Sequence, residues 1–334
     1  MMLPANTMTL LADIGGTNTR VALSQGGVVR RDTIRRYPNA GYPGLDAVLG
    51  DYLAGFGGVD CAGACVAAAG PVRDGVATLT NLDWTIDEAA VARATRAETV
   101  AVLNDLQAQG HALGHLGADA LATVICGTEA PRPGAAQLVI GVGTGFNAAP
   151  VHETPGGRIV VASECGHASL PVRNEADLRL LHSVEPAHGF AGVEDALSGR
   201  GLERVYAWCA AEQGTPRDWP AARIMQCLAD GSDPVAEAAV AVFVRLLGRV
   251  TGDLGLNHLP FGGIYLIGGV ARAMQPHFHR FGFAQAFRDK GRFSDFMDGF
   301  SVHVIEDDYA ALTGCAVYLD RMMRRGHRGA GQSA

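Results

Sequence analysis

Thr9-Leu-Leu-Ala-Asp-Ile-Gly-Gly-Thr-Asn-Thr-Arg20 is the stretch whose reading decides the fold. Its apolar run is short and bounded by glycine, as in a buried strand. Glycine directly after a strand lets backbone N–H groups approach a ligand closely. Asp13 stands near the strand end, and Thr17 follows Gly15-Gly16. Such a loop can turn N–H groups and the Thr17 hydroxyl toward a phosphate, with Asp13 holding Mg²⁺ through water. A tight hairpin with a solvated aspartate is the structural alternative. Val21-Ala-Leu23, Gly26-Gly27 and Val28–Arg31 continue as a hairpin.

Outward from this stretch the pattern recurs. Gln137–Val142 ends in Gly143-Thr144-Gly145, and Gly263–Ile267 ends in Gly268-Gly269. A strand, a glycine turn and a second strand at Val139–Val151 make the two halves read as repeats of one unit. Asp233-Pro234 reads as an N-cap with proline at the first helical position. The helix it opens carries Val235, Ala239, Phe243, Leu246, Leu247 and Val250 on its apolar face. Asp307-Asp308 opens a last helix through Ala311, Leu312, Cys315 and Leu319, its basic end at Arg321–Arg325. The tail 326–334 is expected to fray.

The chain has 334 residues, enough for two domains, with 48% apolar and 18% charged residues, which excludes disorder. A net charge of −7 argues against a nucleic-acid partner, and no apolar run is long enough for a membrane span. The first eleven residues show no signal-peptide pattern. Lys290 is the single lysine and no Ser or Thr follows it, so no Walker A loop exists. Seven scattered cysteines fit buried thiols in a reducing cytoplasm. Cys61 and Cys65 lack the second ligand pair a structural zinc needs.

Three further segments carry chemistry. Leu103-Asn104-Asp105 runs from strand into helix and places a carboxylate where it can take a proton from a hydroxyl. Plain helix capping accounts for the same residues. Glu164-Cys-Gly-His167, with Glu194 further on, can offer acceptors and donors to adjacent hydroxyls of a polyol; a surface glutamate and a capping histidine are the alternative. Gly262–Gly269 leaves a wall without side chains, suited to an adenine or ribose, or to close helix–strand packing. In the loop after Val142, Phe146-Asn147 breaks the Gly-x-Gly-x-x-Gly dinucleotide pattern.

Taken in order, these segments resemble the bacterial glucokinase family of the actin-type ATPase superfamily. The likeness covers roughly residues 9–320. Asp13–Arg20 resembles its phosphate-1 motif, Val139–Gly145 its phosphate-2 motif and Gly262–Gly269 its adenosine motif. Thr80-Asn-Leu-Asp-Trp84 resembles the segment beside its sugar cleft. The resemblance implies an α/β fold of two actin-like (ribonuclease H-like) lobes with a central cleft. The small lobe would comprise residues 1–108 plus 305–325, and the large lobe 109–304. It further implies ATP and Mg²⁺, a hexose substrate, with glucose converted to glucose 6-phosphate as the favoured reaction, a cytoplasmic address and a homodimer. Asp105 would be the catalytic base. Asn81, Asn104, Glu164, His167 and Glu194 would join it in binding the sugar. Gly15, Gly16, Thr17, Asn18, Gly143, Thr144 and Gly145 would line the phosphates and Gly268 and Gly269 the adenosine, while Asp13 orients Mg²⁺. No zinc site is expected, since 168–177 holds no cysteine. Competing readings are a kinase of another hexose or an amino sugar, and a non-catalytic sugar sensor. The family loop continues Gly-Thr-Gly-Leu-Gly. Asn147 in the last glycine's place is expected to adopt positive φ and to set its amide near the phosphates.

Overall fold

A computed structural model of the chain describes residues 8–79 and 82–330. The chain forms two compact units. The first runs to Gly117 and takes back the segment from Asp307; the second is Ala118–Glu306. These junctions lie beyond the expected 108/109 and 304/305. The helix after Asn104 packs along the C-terminal helix, and Asp307 is tied to Arg31 at 2.7 Å, so both segments stay with the first unit.

The first unit opens with β1 (Met8–Ile14), β2 (Asn18–Gln25), β3 (Val28–Val29) and β4 (Arg35–Pro38). After α1 (Leu45–Gly55) comes β5 (Gly63–Ala68). A small sheet of β6 (Val72–Arg73), β7 (Val76–Thr78) and β8 (Thr85–Asp87) precedes α2 (Glu88–Thr95). β9 (Thr99–Asn104) then leads into α3 (Asp105–Ala112). The main sheet has the order β3-β2-β1-β5-β9, with β4 on β2. β1 and β2 are antiparallel; β1, β5 and β9 run parallel. The period of two along β1 divides its side chains between two cores. Leu10, Ala12 and Ile14 meet Val48, Leu49 and Tyr52 of α1. Leu11 joins Cys65 and Ala67 of β5 against Leu312, Cys315 and Leu319 of the C-terminal helix, Ala310–Ala330. That helix continues through 326–330, where a frayed tail was expected.

The second unit repeats the plan. It contains β10 (Leu121–Ile125), β11 (Gln137–Val142), β12 (Phe146–Thr154), β13 (Gly157–Val160), α4 (Glu175–Val184), α5 (Gly199–Glu212) and α6 (Ala221–Asp230). α7 (Pro234–His258), β14 (Ile264–Ile267), α8 (Gly269–Met274), α9 (Phe283–Arg288) and β15 (Val302–Ile305) complete it. The sheet order is β13-β12-β11-β14-β15-β10. As in the first unit, a central strand has an antiparallel partner on one side and two parallel strands on the other. α7 starts where its sequence predicts. Asp233 accepts from Val235 N (3.1 Å) while Tyr206 and Arg217 hold the same carboxylate at 2.7 and 2.6 Å. No helix among the described residues is long and apolar enough to cross a membrane.

α3 is seated on the C-terminal helix without a side chain between them. A Cβ on Gly314 would lie 1.6 Å from Ala108 O and 2.5 Å from Ala108 C, so the backbones themselves touch there. Gly314→Ala should therefore cost at least the upper end of the roughly 1–3 kcal/mol typical of overpacking. Gly50→Ala on α1, where the added methyl meets nothing within 4 Å, should be neutral or stabilising by up to about 1 kcal/mol. Denaturant titration of both variants checks this; equal stabilities would contradict it.

Candidate active site

The parallel strands of the first unit end together. Ile14, Ala68 and Asn104 are in register, so the loops after β1, β5 and β9 share one sheet edge. That edge is where open α/β sheets bind ligands. Gly15 N donates to Asn18 O at 3.0 Å and closes the first loop into a turn, leaving Gly16 and Thr17 exposed at its tip. The Asn18 amide donates to the Thr17 hydroxyl at 2.8 Å. The turn is held from outside by Asn39. Its amide donates to Gly15 O (2.8 Å), its Oδ1 accepts from the Thr19 hydroxyl (2.8 Å), and its N–H donates to Thr17 O (2.9 Å). Asn39 is buried and lies far along the chain from the loop, so no local pattern marks it in the sequence.

Asp13 sits opposite Arg20 in the β1–β2 ladder, and the guanidinium donates to its Oδ2 at 3.0 Å. Burial nevertheless raises the Asp13 carboxyl above the ordinary aspartate range, against the pull of Arg20. Asp105, two strands away, is half-buried as the first residue of α3. Desolvation, then the negative charge of Asp13, push its carboxyl up to about 6, although the Leu106 N–H donates to it at 2.8 Å. Asn104 does cap α3: its Oδ1 accepts from Leu106 N (3.0 Å) and its amide donates to Gly70 O (3.0 Å). Of the expected sugar-binding residues, Asn81 lies outside the described residues.

In the second unit, Gly143, Thr144 and Gly145 form the turn between β11 and β12, closed by Gly143 N donating to Gly145 O at 2.9 Å. Glu194 braces it, its Oε2 accepting from Phe146 N at 2.9 Å. A Cβ on Gly145 would lie 2.6 Å from that oxygen. The Glu164–His167 turn comes alongside because Gly166 has no side chain; a Cβ there would fall 2.0 Å from Phe146 O. Glu194 N donates to Gly166 O at 2.9 Å, so Glu164, His167 and Glu194 are gathered on one backbone junction. Glu164 and His167 are exposed and Glu194 is half-buried. Gly268, at φ +110°, would drive a Cβ to within 2.4 Å of Val142 O, so it serves close packing beneath the turn; Gly269 faces open space.

Asn147 does not do what its sequence position suggested. It has no positive φ, lies within β12, and its amide turns away from the Gly143–Gly145 turn toward Ser163–Cys165. Pairing of Gly141 with Asn147 in the ladder fixes that direction. Phe146 is a core residue.

The raised Asp105 carboxyl has a consequence for stability. A folded-state pKa above the unfolded one favours folding when the group is protonated, and this advantage is lost as pH rises through the folded value. Asp105→Asn should thus melt above wild type at about pH 7.5, and the gap should close toward about pH 4.5. Thermal melts across that range test it; a gap independent of pH would contradict the assignment.

The comparisons agree in kind. The glucokinase family model matches residues 10–322. The chain is similar to the glucokinase of Saccharophagus degradans, at 31% identity over 317 residues covering 94% of this chain and 98% of that one. It is 34% identical to the glucokinase of Chromobacterium violaceum over 318 residues, covering 95% and 90%. The crystal structure of a glucokinase from an Antarctic psychrotroph superposes with a TM-score of 0.83 at 30% identity, covering 94% of this chain and 99% of that one. With a family match over nearly its full length and relatives 31–34% identical along it, the chain belongs to the glucokinase family, ATP-dependent kinases of glucose.

Proposed function

We propose that Asp105 is the general base that takes the proton of the glucose 6-hydroxyl as that oxygen attacks the terminal phosphorus of ATP. The observation that carries this is the pairing of position and acidity. Asp105 starts a helix at the carboxyl edge of a parallel sheet, and its carboxyl is held near 6. A base of that acidity is ionised at neutral pH yet binds a proton far better than an ordinary aspartate.

Glu164, His167 and Glu194, gathered around Gly166, are proposed to hold the sugar hydroxyls, with the second amide hydrogen of Asn104 joining them. Glu194 also braces the Gly143–Gly145 turn, so sugar-binding and phosphate-binding groups share one support. The phosphates would lie on the N–H groups of Gly16 and Asn18, on the Thr17 hydroxyl, and on Gly143, Thr144 and Gly145, with Gly15 closing the first turn through its bond to Asn18 O and Gly269 on the adenosine side. Gly268 would act from beneath, by packing.

The donor set fits Mg²⁺ arriving with a nucleotide. No group of three or more His, Cys, Asp or Glu among the described residues could hold a metal alone. Mg²⁺ bound to ATP needs one or two carboxylates, the remaining positions being filled by water and phosphate oxygens. Asp13 would supply one, through water, with Arg20 orienting its Oδ2. When bound, Mg²⁺ neutralises charge on the phosphates. The chain's part is positioning and electrostatics, which phosphoryl transfer mainly requires, and backbone N–H groups perform it without a lysine. A cytoplasmic address is part of the proposal; the scattered free cysteines, which suit a reducing compartment, support it.

Asp105→Asn keeps shape and hydrogen bonding but cannot accept the proton. Its kcat should fall at least about 100-fold, with glucose affinity by calorimetry within about threefold of wild type. Near-wild-type turnover would remove Asp105 from the mechanism. Wild type that binds glucose and transfers no phosphate would make the protein a sensor.

A further inference from the structure

We infer that Asn147 is a positioning residue for the sugar: it fixes the turn that carries Glu164 and orients the Glu164 carboxylate itself. The inference rests on the sugar-side reading of Glu164 given above.

The side-chain amide of Asn147 is fully used. Its nitrogen donates to Ser163 O and, at 3.2 Å, to Glu164 Oε2. Its oxygen accepts from Cys165 N (3.1 Å), Ala148 N (2.9 Å) and the Ser163 hydroxyl (3.1 Å). The Ser163 hydroxyl also donates to Ala148 O at 2.7 Å. One amide thus ties strand β12 to three consecutive residues, Ser163, Glu164 and Cys165. The Cys165 thiol also donates to the Asn147 oxygen at 3.5 Å, and apart from this bond and the one to Glu164 every contact is to backbone or to Ser163, so the turn is built around this side chain.

An exposed glutamate would otherwise sample several rotamers, and ordering a long side chain costs up to about 1.5–2 kcal/mol. The amide donor holds one oxygen of Glu164 before sugar arrives and leaves Oε1 to accept from a hydroxyl. A charge-assisted bond of this kind is stronger than one between neutral groups. Asn147 stands where the family loop has glycine, so in this chain the orienting group comes from the loop rather than from the glutamate's own segment. Its effect should fall on the sugar and not on the nucleotide, because its amide points to Ser163–Cys165 and makes no bond to Gly143–Gly145.

The test is steady-state kinetics on Asn147→Ala, Asn147→Asp, Glu164→Gln and the Glu164→Gln/Asn147→Ala double variant. Asn147→Asp keeps the acceptor contacts to Cys165, Ala148 and Ser163, so it tests the donor even if the alanine variant folds poorly. The expected result is a rise of about tenfold or more in the glucose KM for Asn147→Ala, with the ATP KM within about twofold. Asn147→Asp, which sets a like charge beside Glu164, should be worse at neutral pH and recover as pH is lowered. In the Glu164→Gln background, Asn147→Ala should add little. A normal glucose KM in Glu164→Gln would overturn the sugar-side reading. A raised KM there with an unchanged one in both Asn147 variants would overturn this inference alone. A change confined to the ATP KM would return Asn147 to the nucleotide side.

Discussion

Two carboxylates sit at the carboxyl ends of the parallel strands of one sheet, and only one of them has a guanidinium beside it. Asp13 takes Arg20, its direct neighbour in the β1–β2 ladder. Asp105 has no such partner and keeps only backbone and amide donors. Partial burial and the charge of Asp13 therefore load it with free energy as a carboxylate. That penalty is tolerable because α3 cannot move away. It is seated backbone against backbone on the C-terminal helix at Gly314, and capped from within by Asn104. The chain returns 190 residues later, beyond the whole of the second unit, and its terminal segment fixes the helix that carries Asp105, the proposed base.

The same geometry recurs in the second unit with different side chains. A central strand, an antiparallel arm and a glycine turn are common to both. In the first unit the turn is braced by a buried amide, Asn39. In the second it is braced by a carboxylate, Glu194, on the Phe146 N–H. Both braces reach the loop from elsewhere in the chain and both leave the loop's tip without bulky side chains. The glycines divide into two kinds. Gly145, Gly166 and Gly268 are required because something already occupies the space a Cβ would take; Gly143 and Gly269 meet nothing.

The strands, the two glycine turns, the start of α7 and the capping at Asn104 were legible in the sequence because each is set by neighbours a few residues away. The misreadings share a cause as well. Positive φ for Asn147 followed from its place after Gly-Thr-Gly, but the β11–β12 ladder carries it into regular strand, and its amide reaches Ser163, Glu164 and Cys165, sixteen to eighteen residues on. Asn39 and Gly314 act across longer separations still, and neither belongs to a motif. The helix continuing through 326–330 was hidden by Gly326, a residue that weakens a helix without forbidding it.

The central claim is that a carboxyl with its acidity displaced toward neutrality accepts the proton of the sugar. The most direct measurement is the pH dependence of kcat/KM for glucose in the wild type, which reports the groups of the enzyme before glucose binds. The account predicts an ascending limb with an apparent pKa of about 6, set by Asp105. A rate that stays flat down to about pH 4.5 would contradict it.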